Sequence, residues 1–512
     1  MKNIKYIHPF LFSLFPALYL FSINLQELYN IALQFLPMIL VLSLLFCGVV
    51  FGITYVVTGR DICKTSVLTT FLLFVFSSYG YFFDFLHSTF ESDLIRHRYI
   101  LPLLVVFTLG AVGYTFFSKK PLEKVNNFLQ VTVTILLIFT LATILKFIVS
   151  GQEIDSLTAT YQIPESDIPP SSELTYTPDI YYIILDGYAD SDVLRVFYNY
   201  DNSEFLDFLE DKGFFLAHDS VSNYGYTYAS LASSLNMQYL DEAVDAVGVA
   251  SDSVRSFSYI IENNAVVEML KKLGYTYIHF GSGYPMTNFN RHADVSYREG
   301  LDRFSLFLLN SSILRPVTDP TSPWRIGFTK NDEVRKRILF ELDTLQSLPN
   351  DTTIAHPRFT FTHIVSPHHP YVFDAKGNAV TERPEDSPEG YLDQVTFINS
   401  RMMEIVDSIL ENSAVPPVII IQSDHGWNPS PGDSKSIKFH NFTAINLGQA
   451  TTSGLSESVS PVNIFREVFN RVFGTSLPIL EKEVYITTKE SRLDFNNITD
   501  EVLEQQEEVL GE

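Results

Sequence analysis

The chain has 512 residues, a length that predicts more than one domain, and a formal net charge of −24. Residues 1–150 hold 10 of the 35 Lys and Arg residues and 6 of the 59 Asp and Glu residues, which leaves 25 basic and 53 acidic residues and a net charge of −28 in 151–512. The acidic balance argues against a nucleic-acid-binding protein, because phosphate binding needs clustered cations. It also argues against a domain that lies flat on an anionic membrane surface.

Residues 1–150 contain five apolar stretches, at roughly 8–23, 32–57, 65–86, 99–118 and 127–149. Most of them reach the ~20 residues with which an α-helix crosses ~30 Å of hydrocarbon. The first stretch is short and contains Pro9 and Pro16, so a cleaved signal peptide is the alternative for it. The lack of a small-residue cleavage site and the apolar stretches that follow favour a retained span. We therefore expect a transmembrane helical domain of about five spans over 1–150.

Basic residues indicate which loops face the cytoplasm. They precede the first span, lie between spans two and three, and lie between spans four and five, as Lys2, Lys5, Arg60, Lys64, Lys119, Lys120 and Lys124. The loop 24–30 has none, whereas Arg96 and Arg98 run against the rule beside two acidic residues. An N-terminus in the cytoplasm and five crossings of the cytoplasmic membrane place everything after Ser150 outside.

Residues 151–178 are rich in Ser, Thr, Asp, Glu and Pro and are typical of an extended linker. We expect an α/β domain over 179–490, large enough to hold a catalytic site. We expect an acidic tail over 491–512 that ends in a frayed helix or in disorder. Both cysteines, Cys47 and Cys63, precede this region. The domain after 150 therefore has no disulfide and depends on its own core.

Strand-like apolar runs alternate with amphipathic helical stretches in the second part of the chain. The strand-like runs are 180–185, 276–280, 359–365, 417–422 and 442–447. The helical stretches are 203–212, 265–273, 331–347, 392–411 and 461–473. This alternation predicts an α/β fold with a mostly parallel central sheet.

Two of the predicted strands end in residues that suit a divalent cation. Asp186-Gly187 follows the first strand, and Asp424-His425-Gly426 follows the fourth. Chemistry collects at the carboxyl ends of parallel strands, and carboxylate and imidazole groups bind such cations. A plain Asp-Gly turn is the alternative for Asp186, and an Asp turn with a surface His is the alternative for the other pair. Because a buried Asp-His pair is costly without partners, the sequence predicts one shared metal site.

A candidate nucleophile lies in the segment 223–236, where an aromatic, Gly-containing loop meets a run of small residues. Thr227 falls near the start of the helix predicted there, where free N–H groups and the helix dipole favour an anion. A hydroxyl bound to a divalent cation loses its proton more easily and becomes a nucleophile. A simple Thr N-cap is the alternative.

Several histidines lie in or just after the third predicted strand, and one precedes the fifth. His363 lies in the strand, and the loop Ser366-Pro367-His368-His369-Pro370 places paired imidazoles between prolines. Such a rigid loop predicts groups that bind phosphate oxygens or protonate a leaving group, with exposed loop histidines as the alternative. His440 is a weaker candidate of the same kind.

Together and in this order, the motifs resemble those of the alkaline phosphatase and sulfatase superfamily over roughly 178–480. The most similar branch is the membrane-anchored lipoteichoic acid synthase-like and phosphoethanolamine transferase-like proteins, which share a several-span anchor and an external catalytic domain. The resemblance implies an alkaline phosphatase-like fold, Thr227 as nucleophile and His368 as a substrate-contacting group. It implies metal coordination by Asp186, Thr227, Asp424 and His425.

The departures from the sulfatase pattern affect the expected reaction. Sulfatases carry Cys-x-Pro-Ser-Arg, with Cys or Ser oxidised to formylglycine, whereas this chain has Thr227 in that frame and Leu231 in place of the Arg. Threonine cannot give that aldehyde, so sulfate-ester hydrolysis by the usual route is not expected. The transferases use a Thr nucleophile. The phosphatase branch binds two zinc ions, and His363 and His440 leave a two-metal site open.

The resemblance therefore implies a metal-dependent, extracytoplasmic phosphotransferase of the phosphoglycerol or phosphoethanolamine type. The metal is Mn, Zn, Mg or Ca, and the substrate is a membrane lipid or a cell-envelope polymer held near the bilayer. We expect substrate contacts from His363, His369 and His440. One alternative is a sulfatase-like phosphodiesterase or phosphatase that acts on a soluble or envelope ester. A second is a catalytically inactive domain that binds an envelope glycan or a partner.

Overall fold

The chain divides into two compact units in the computed structural model. Unit 1 comprises Met1–Gly151 and Leu301–Glu333, and unit 2 comprises Gln152–Gly300 and Val334–Glu512. The sequence analysis placed 301–333 inside the α/β domain, whereas in the structure this segment clusters with the N-terminal helices. The residues described are 5–90, 94–118, 121–150, 168–170, 172, 174–240, 255–300, 303–319, 322, 324, 330–380, 383–427, 436–487 and 493–510. Most of the expected linker over 151–178 therefore lies outside the described residues.

Five apolar helices open unit 1: α1 (His8–Ile23), α2 (Leu25–Val57), α3 (Ile62–Phe90), α4 (His97–Phe117) and α5 (Glu123–Ser150). The last four are long and apolar enough to cross a membrane, and α1 is a shorter apolar helix of 16 residues. Large apolar side chains on these helices face outward, as expected where lipid rather than water surrounds them. The N-terminal helical part of the predicted fold is confirmed, with four long helices and one short one.

Unit 2 is built on a seven-stranded sheet. Its strands are β1 (Ile180–Leu185), β2 (Phe215–Leu216), β3 (Thr276–Phe280), β4 (Val295–Tyr297), β5 (Arg358–Ile364), β6 (Val418–Gln422) and β7 (Thr443–Asn446). Their order across the sheet is β2-β7-β6-β1-β5-β3-β4, and only the β6–β7 and β7–β2 pairs are antiparallel. The predicted α/β fold with a mostly parallel sheet is confirmed. Two antiparallel strands of two residues each, β8 (Tyr485–Ile486) and β9 (Asn496–Asn497), form a second small sheet.

Helices alternate with these strands. They are α6 (Ser191–Tyr198), α7 (Ser203–Asp211), α8 (Thr227–Asn236), α9 (Arg255–Glu262), α10 (Ala265–Lys272), α11 (Arg303–Ser311), α12 (Lys330–Ser347), α13 (Pro388–Asn412), α14 (Pro461–Phe473) and α15 (Thr499–Leu510). The helix α11 belongs to unit 1. The tail, expected to be a frayed helix or disordered, is helical over α15.

Both faces of the sheet are covered, as the central strand β1 demonstrates. All six of its side chains are fully buried. Ile180, Tyr182 and Ile184 belong to one apolar core, and the alternate residues Tyr181, Ile183 and Leu185 belong to another. An uninterrupted apolar run of this kind is typical of parallel strands with helices on both faces. The polar residues that follow β1 are thereby placed at the rim of the sheet, between two cores.

Glu341 of α12 provides a test of how the buried core of unit 2 responds to pH. Neither of its carboxylate oxygens has a hydrogen-bond partner among the described residues, and burial raises its pKa well above the ordinary value, although Arg337 opposes this. The folded protein therefore holds this proton more tightly than the unfolded chain. The stability that the protonated Glu341 contributes is complete below the ordinary pKa of a glutamate side chain. It is lost as the pH rises through the pKa of Glu341 in the folded protein.

We expect Glu341→Gln to raise the unfolding temperature of the full-length protein in detergent, and to raise it more at about pH 8 than at about pH 5. Glutamine has no proton to lose, so the penalty that grows with pH disappears. The matched control is Glu210→Gln, at an exposed position of α7. Equal shifts for both variants at both pH values would contradict the assignment of Glu341 as a buried, protonated acid.

Candidate active site

Two neighbouring strands, β6 and β1, carry three of the predicted metal ligands to one edge of the sheet. The parallel register pairs Ile184 of β1 with Gln422 of β6. Asp186 and Asp424 each follow two residues later, so the two carboxylates leave the sheet side by side. Asp186, Asp424 and His425 offer ligand atoms that all lie within 4.8 Å of one another. The structure thus brings together the three residues that the sequence grouped as a metal site.

Each of the two aspartates presents a carboxylate oxygen without a hydrogen-bond donor among the described residues. Asp424 Oδ1 accepts a hydrogen bond from the Gly187 N–H at 3.0 Å, but Asp424 Oδ2 and Asp186 Oδ1 have no donor. Both residues are at most 2% exposed. Buried oxygens of this kind are costly unless something positive satisfies them. A divalent cation bound by both carboxylates would do so, and the donor set fits one.

The His425 imidazole is oriented for coordination by its own backbone. Its Nδ1 lies 2.7 Å from the Gly426 carbonyl oxygen, which only an Nδ1–H can bond. The lone pair is then on Nε2, which lies 3.4 Å from Asp424 Oδ2 and 4.0 Å from Asp186 Oδ1. The imidazole therefore offers a third ligand atom to the same point as the two carboxylates.

Thr227 contacts this group through His425. It is the first residue of α8, and its Oγ1 lies 3.3 Å from His425 Nε2. The residue before it, Tyr226, occupies the N-cap position and makes no side-chain capping bond. The Ser230 hydroxyl, one turn into α8, donates a hydrogen bond of 2.6 Å to the Asp424 carbonyl oxygen. This bond ties the start of α8 to the end of β6 and fixes the hydroxyl beside the ligand group.

His363 supports Asp186 from inside the sheet. It is fully buried in β5, with Nε2 at 3.2 Å from Asp186 Oδ2 and Nδ1 at 2.8 Å from the Thr287 hydroxyl. Burial alone would raise the pKa of Asp186, but the nearby histidines His368, His363 and His425 outweigh it, so its pKa lies below the ordinary value. Asp186 is therefore a carboxylate. His363 was expected to contact substrate, and in the structure it lies behind Asp186, a predicted metal ligand.

The His368 loop lies against the other side of Asp186. The His368 backbone N–H donates to the Asp186 carbonyl oxygen at 3.0 Å. Burial lowers the pKa of His368, but the negative charge of Asp186 and the His369 carbonyl more than offset this, so its pKa is raised. A Cβ on Gly187, whose φ is +70°, would lie 3.7 Å from the His368 ring and 3.9 Å from the His425 ring. Gly187 thus separates the two imidazoles without filling the space between them.

Two of the predicted substrate contacts point elsewhere. His369 Nε2 lies 3.3 Å from Glu385 Oε1. The His440 side chain is buried, and burial together with Lys482 lowers its pKa to about 4. Among the described residues neither histidine contacts Asp186, Asp424 or His425. His440 contributes through its backbone, because a Cβ on Gly426 would lie only 2.3 Å from the His440 carbonyl oxygen. The glycine of Asp-His-Gly is needed for this close approach.

The sequence analysis missed two residues of α13 that hold the loops of the site. The Tyr391 hydroxyl donates to the Gly187 carbonyl at 3.0 Å and accepts from the Ala189 N–H at 2.9 Å. Its ring stacks on Trp427, with centroids 3.8 Å apart. One turn further on, Gln394 Nε2 donates to the carbonyls of Pro367 and His368 at 3.0 and 3.2 Å, and Oε1 accepts from the Val372 N–H at 2.8 Å. The only sequence signal for this role was their i, i+3 spacing on one helix.

No protein-family model matches the chain, and no curated protein matches it in sequence. Solved structures do resemble it. The C-terminal periplasmic domain of EcEptC from Escherichia coli in complex with Zn is 13% identical, with a TM-score of 0.45 over 67% of this chain and 100% of that one. The corresponding domain of phosphoethanolamine transferase EptC from Campylobacter jejuni is 12% identical, with a TM-score of 0.36 over 60% and 92%. A protein in the alkaline phosphatase superfamily from Vibrio parahaemolyticus is 12% identical, with a TM-score of 0.39 over 68% and 84%.

We expect Asp424→Asn to lower the affinity for Zn²⁺ or Mn²⁺ by more than about tenfold, since even the outer partners of metal ligands typically contribute that much. The variant removes a charge from the ligand group while keeping the size of the side chain. The measurement is bound metal after equilibrium dialysis of the full-length protein. Asp190→Asn, at another buried aspartate, is the control. Equal metal content in the two variants would remove Asp424 from the ligand set.

We expect Gln394→Ala to increase the mobility of the His368 loop without loss of bound metal. Amide hydrogen exchange in residues 366–372 should become about tenfold faster, because three hydrogen bonds to that loop are lost. Metal content should match that of the unmodified protein. Ser400→Ala, at an exposed position of the same helix, is the control. Unchanged exchange over 366–372 would show that the loop is held by other contacts.

Proposed function

We propose that the chain is a metal-dependent phosphotransferase in which Thr227 is the nucleophile. The observation that carries this proposal is the position of the Thr227 hydroxyl. It lies 3.3 Å from His425 Nε2, at the start of a helix, and His425 lies beside two buried carboxylate oxygens that have no donor in the described part of the chain. A hydroxyl, two carboxylates and an imidazole around one point form a set of ligands for a single divalent cation.

The chemistry of such a cation would be to lower the pKa of the Thr227 hydroxyl and to neutralise negative charge on the transferring phosphoryl group. The residues of the chain supply the rest. Ser230, through its bond to the Asp424 carbonyl, keeps α8 in register with the ligand group. The start of α8 favours the negative charge of a phosphate oxygen. These contacts fix the attacking oxygen and the phosphoryl oxygens relative to each other before the reaction.

In the first half-reaction, Thr227 Oγ1 gives its proton to water and forms a bond to phosphorus, while the bond from phosphorus to the alcohol of the donor breaks. His368, held beside Asp186 by the Asp186 carbonyl, donates a proton to the departing alkoxide. In the second, an acceptor alcohol loses its proton to His368 and takes the phosphoryl group from Thr227. The Thr227 oxygen regains a proton from water and His368 is again protonated, so atoms and charge balance over the two steps.

The proposed donor is a phosphodiester of a membrane lipid, and the proposed acceptor is an alcohol on a lipid or on a cell-envelope polymer. Four helices long enough to cross a membrane precede the catalytic unit in the chain, which supports a substrate that is itself membrane-bound. The distribution of Lys and Arg between the apolar stretches supports a catalytic unit outside the cytoplasm.

We expect mass spectrometry of the purified protein, after incubation with phospholipid and Zn²⁺ or Mn²⁺, to find a phosphoryl adduct on Thr227. In Thr227→Ala the adduct and all turnover should be lost while most of the bound metal is retained, because three of the four ligands remain. Thr227→Ser keeps a hydroxyl at the same position, so it should form the adduct more slowly rather than lose it.

Full activity of Thr227→Ala would refute the nucleophile. An adduct that maps to another residue would refute it as well. Loss of metal together with activity in Thr227→Ser would show that the position is needed for the fold of the site rather than for the chemistry.

A further inference from the structure

Unit 1 contains a cavity of about 270 Å³ that is separate from the proposed catalytic group. Its walls come from α1, α2, α3, α11 and the residues just after α11. All of these elements belong to the same compact unit. The cavity is therefore a property of the membrane-type helices and of the segment 303–319 that packs with them.

The chemistry of the lining points to an apolar ligand. Apart from serines, every lining residue is apolar. Four of those serine hydroxyls are already bonded within their own turn. Ser13, Ser77, Ser311 and Ser312 donate to the carbonyls of Phe10, Leu73, Leu308 and Leu309 at 2.8, 2.9, 3.0 and 2.9 Å. A ligand therefore has no unpaired hydroxyl to satisfy at these four positions, and an apolar cavity of this kind favours hydrocarbon over water.

The size and access of the cavity suit one hydrocarbon chain. Its volume of about 270 Å³ is far above the ~10–15 Å³ that holds one water molecule, so it has room for a run of several methylene groups. Phe46 of α2 lines the cavity and is also 41% exposed, beside the outward-facing Leu42 and Leu45 at 54% and 62%. The lining is thus continuous with the apolar outer surface of α2. In a bilayer, the hydrocarbon next to such a surface is a lipid acyl chain.

The wall made by α11 is fixed by specific contacts. Phe304 is fully buried and packs edge-on against Phe21 of α1. The Ile313 N–H donates to the Phe76 carbonyl of α3 at 2.8 Å. These contacts hold α11 and the residues just after it against α1 and α3.

A polar cluster holds the chain just beyond α11. Arg315 pairs with Asp84 of α3 at 2.6 Å. Asp319 lies 2.9 Å from Nε2 of the buried His97, whose Nδ1 lies 2.7 Å from the Tyr79 hydroxyl. Because apolar and polar contacts both fix this wall, the shape of the cavity is held by the packing of unit 1.

We propose that this cavity binds one acyl chain of a bilayer lipid, inserted between α1, α2, α3 and α11. The proposal does not depend on the reaction carried out by unit 2. It concerns a binding site that any diacyl lipid of sufficient chain length would occupy, whatever its headgroup.

The test uses the full-length protein in nanodiscs of phosphatidylethanolamine and phosphatidylglycerol that contain a phospholipid with a photoreactive diazirine in one acyl chain. After irradiation, peptide mass spectrometry should place most of the label on the cavity-lining parts of α1, α3 and α11. Ser77→Phe, which fills the cavity from α3, should reduce that label to about a tenth, because a closely packed interior has no room for both groups. Ser88→Phe makes the same change at an exposed position of α3 and should leave the label unchanged.

Label spread evenly over all outward-facing helices, with no difference between the two variants, would mean contact with bulk lipid only and would overturn the proposal. Cross-links to a second copy of the chain at the cavity would overturn it in favour of self-association. If Ser77→Phe fails to give a monodisperse protein, Ala17→Leu fills the same cavity from α1 with a smaller change. Retention of the label in a folded Ala17→Leu variant would then count against the site.

Discussion

Two buried aspartates, each with a carboxylate oxygen that has no donor among the described residues, impose the main constraint on the α/β unit. Asp186 and Asp424 lie next to each other because β1 and β6 are parallel and in register. Two like charges in a low-dielectric environment repel each other unless positive groups surround them. Three imidazoles and a glycine N–H lie around this pair, which identifies the site as a place where positive charge is required. Most of the local structure can be understood as a response to that requirement.

Much of this arrangement could be predicted from the sequence, because it depends on patterns that are local. An apolar run followed by Asp-Gly or Asp-His-Gly predicts a buried strand and a polar residue at its end, and β1 and β6 begin and end within a residue of the predicted bounds. The small-residue run after Thr227 predicts a helix start, and α8 begins at that residue. The register between strands is not local. It was inferred only through the general rule that parallel strands gather their carboxyl ends at one edge.

The features that could not be predicted depend on contacts between distant parts of the chain. Nothing in the sequence around His440 indicates that its backbone, rather than its ring, packs against Gly426. The role of α13 is a similar case. An amphipathic pattern predicts that one face of the helix is buried, but it does not identify the partner of Tyr391 as the Gly187 loop or that of Gln394 as the His368 loop. Hydrogen bonds from one rigid helix to two loops couple the position of Asp186, the proposed metal ligand, to that of His368, the proposed acid.

The return of residues 301–333 to the N-terminal helices has a consequence for biosynthesis. The helix α5 ends at Ser150, and α11 begins about 150 residues later, at Arg303. At ~5–20 residues per second, a ribosome needs roughly eight to thirty seconds to make the intervening chain. During that interval the surfaces of α1 and α3 that α11 later covers face hydrocarbon. Apolar residues such as Phe21 have nothing to gain there from early burial, since lipid tails are as apolar as their future partners. In a membrane, the N-terminal helices can therefore stay without α11 until it is synthesised. A water-soluble core left incomplete for the same time would risk aggregation.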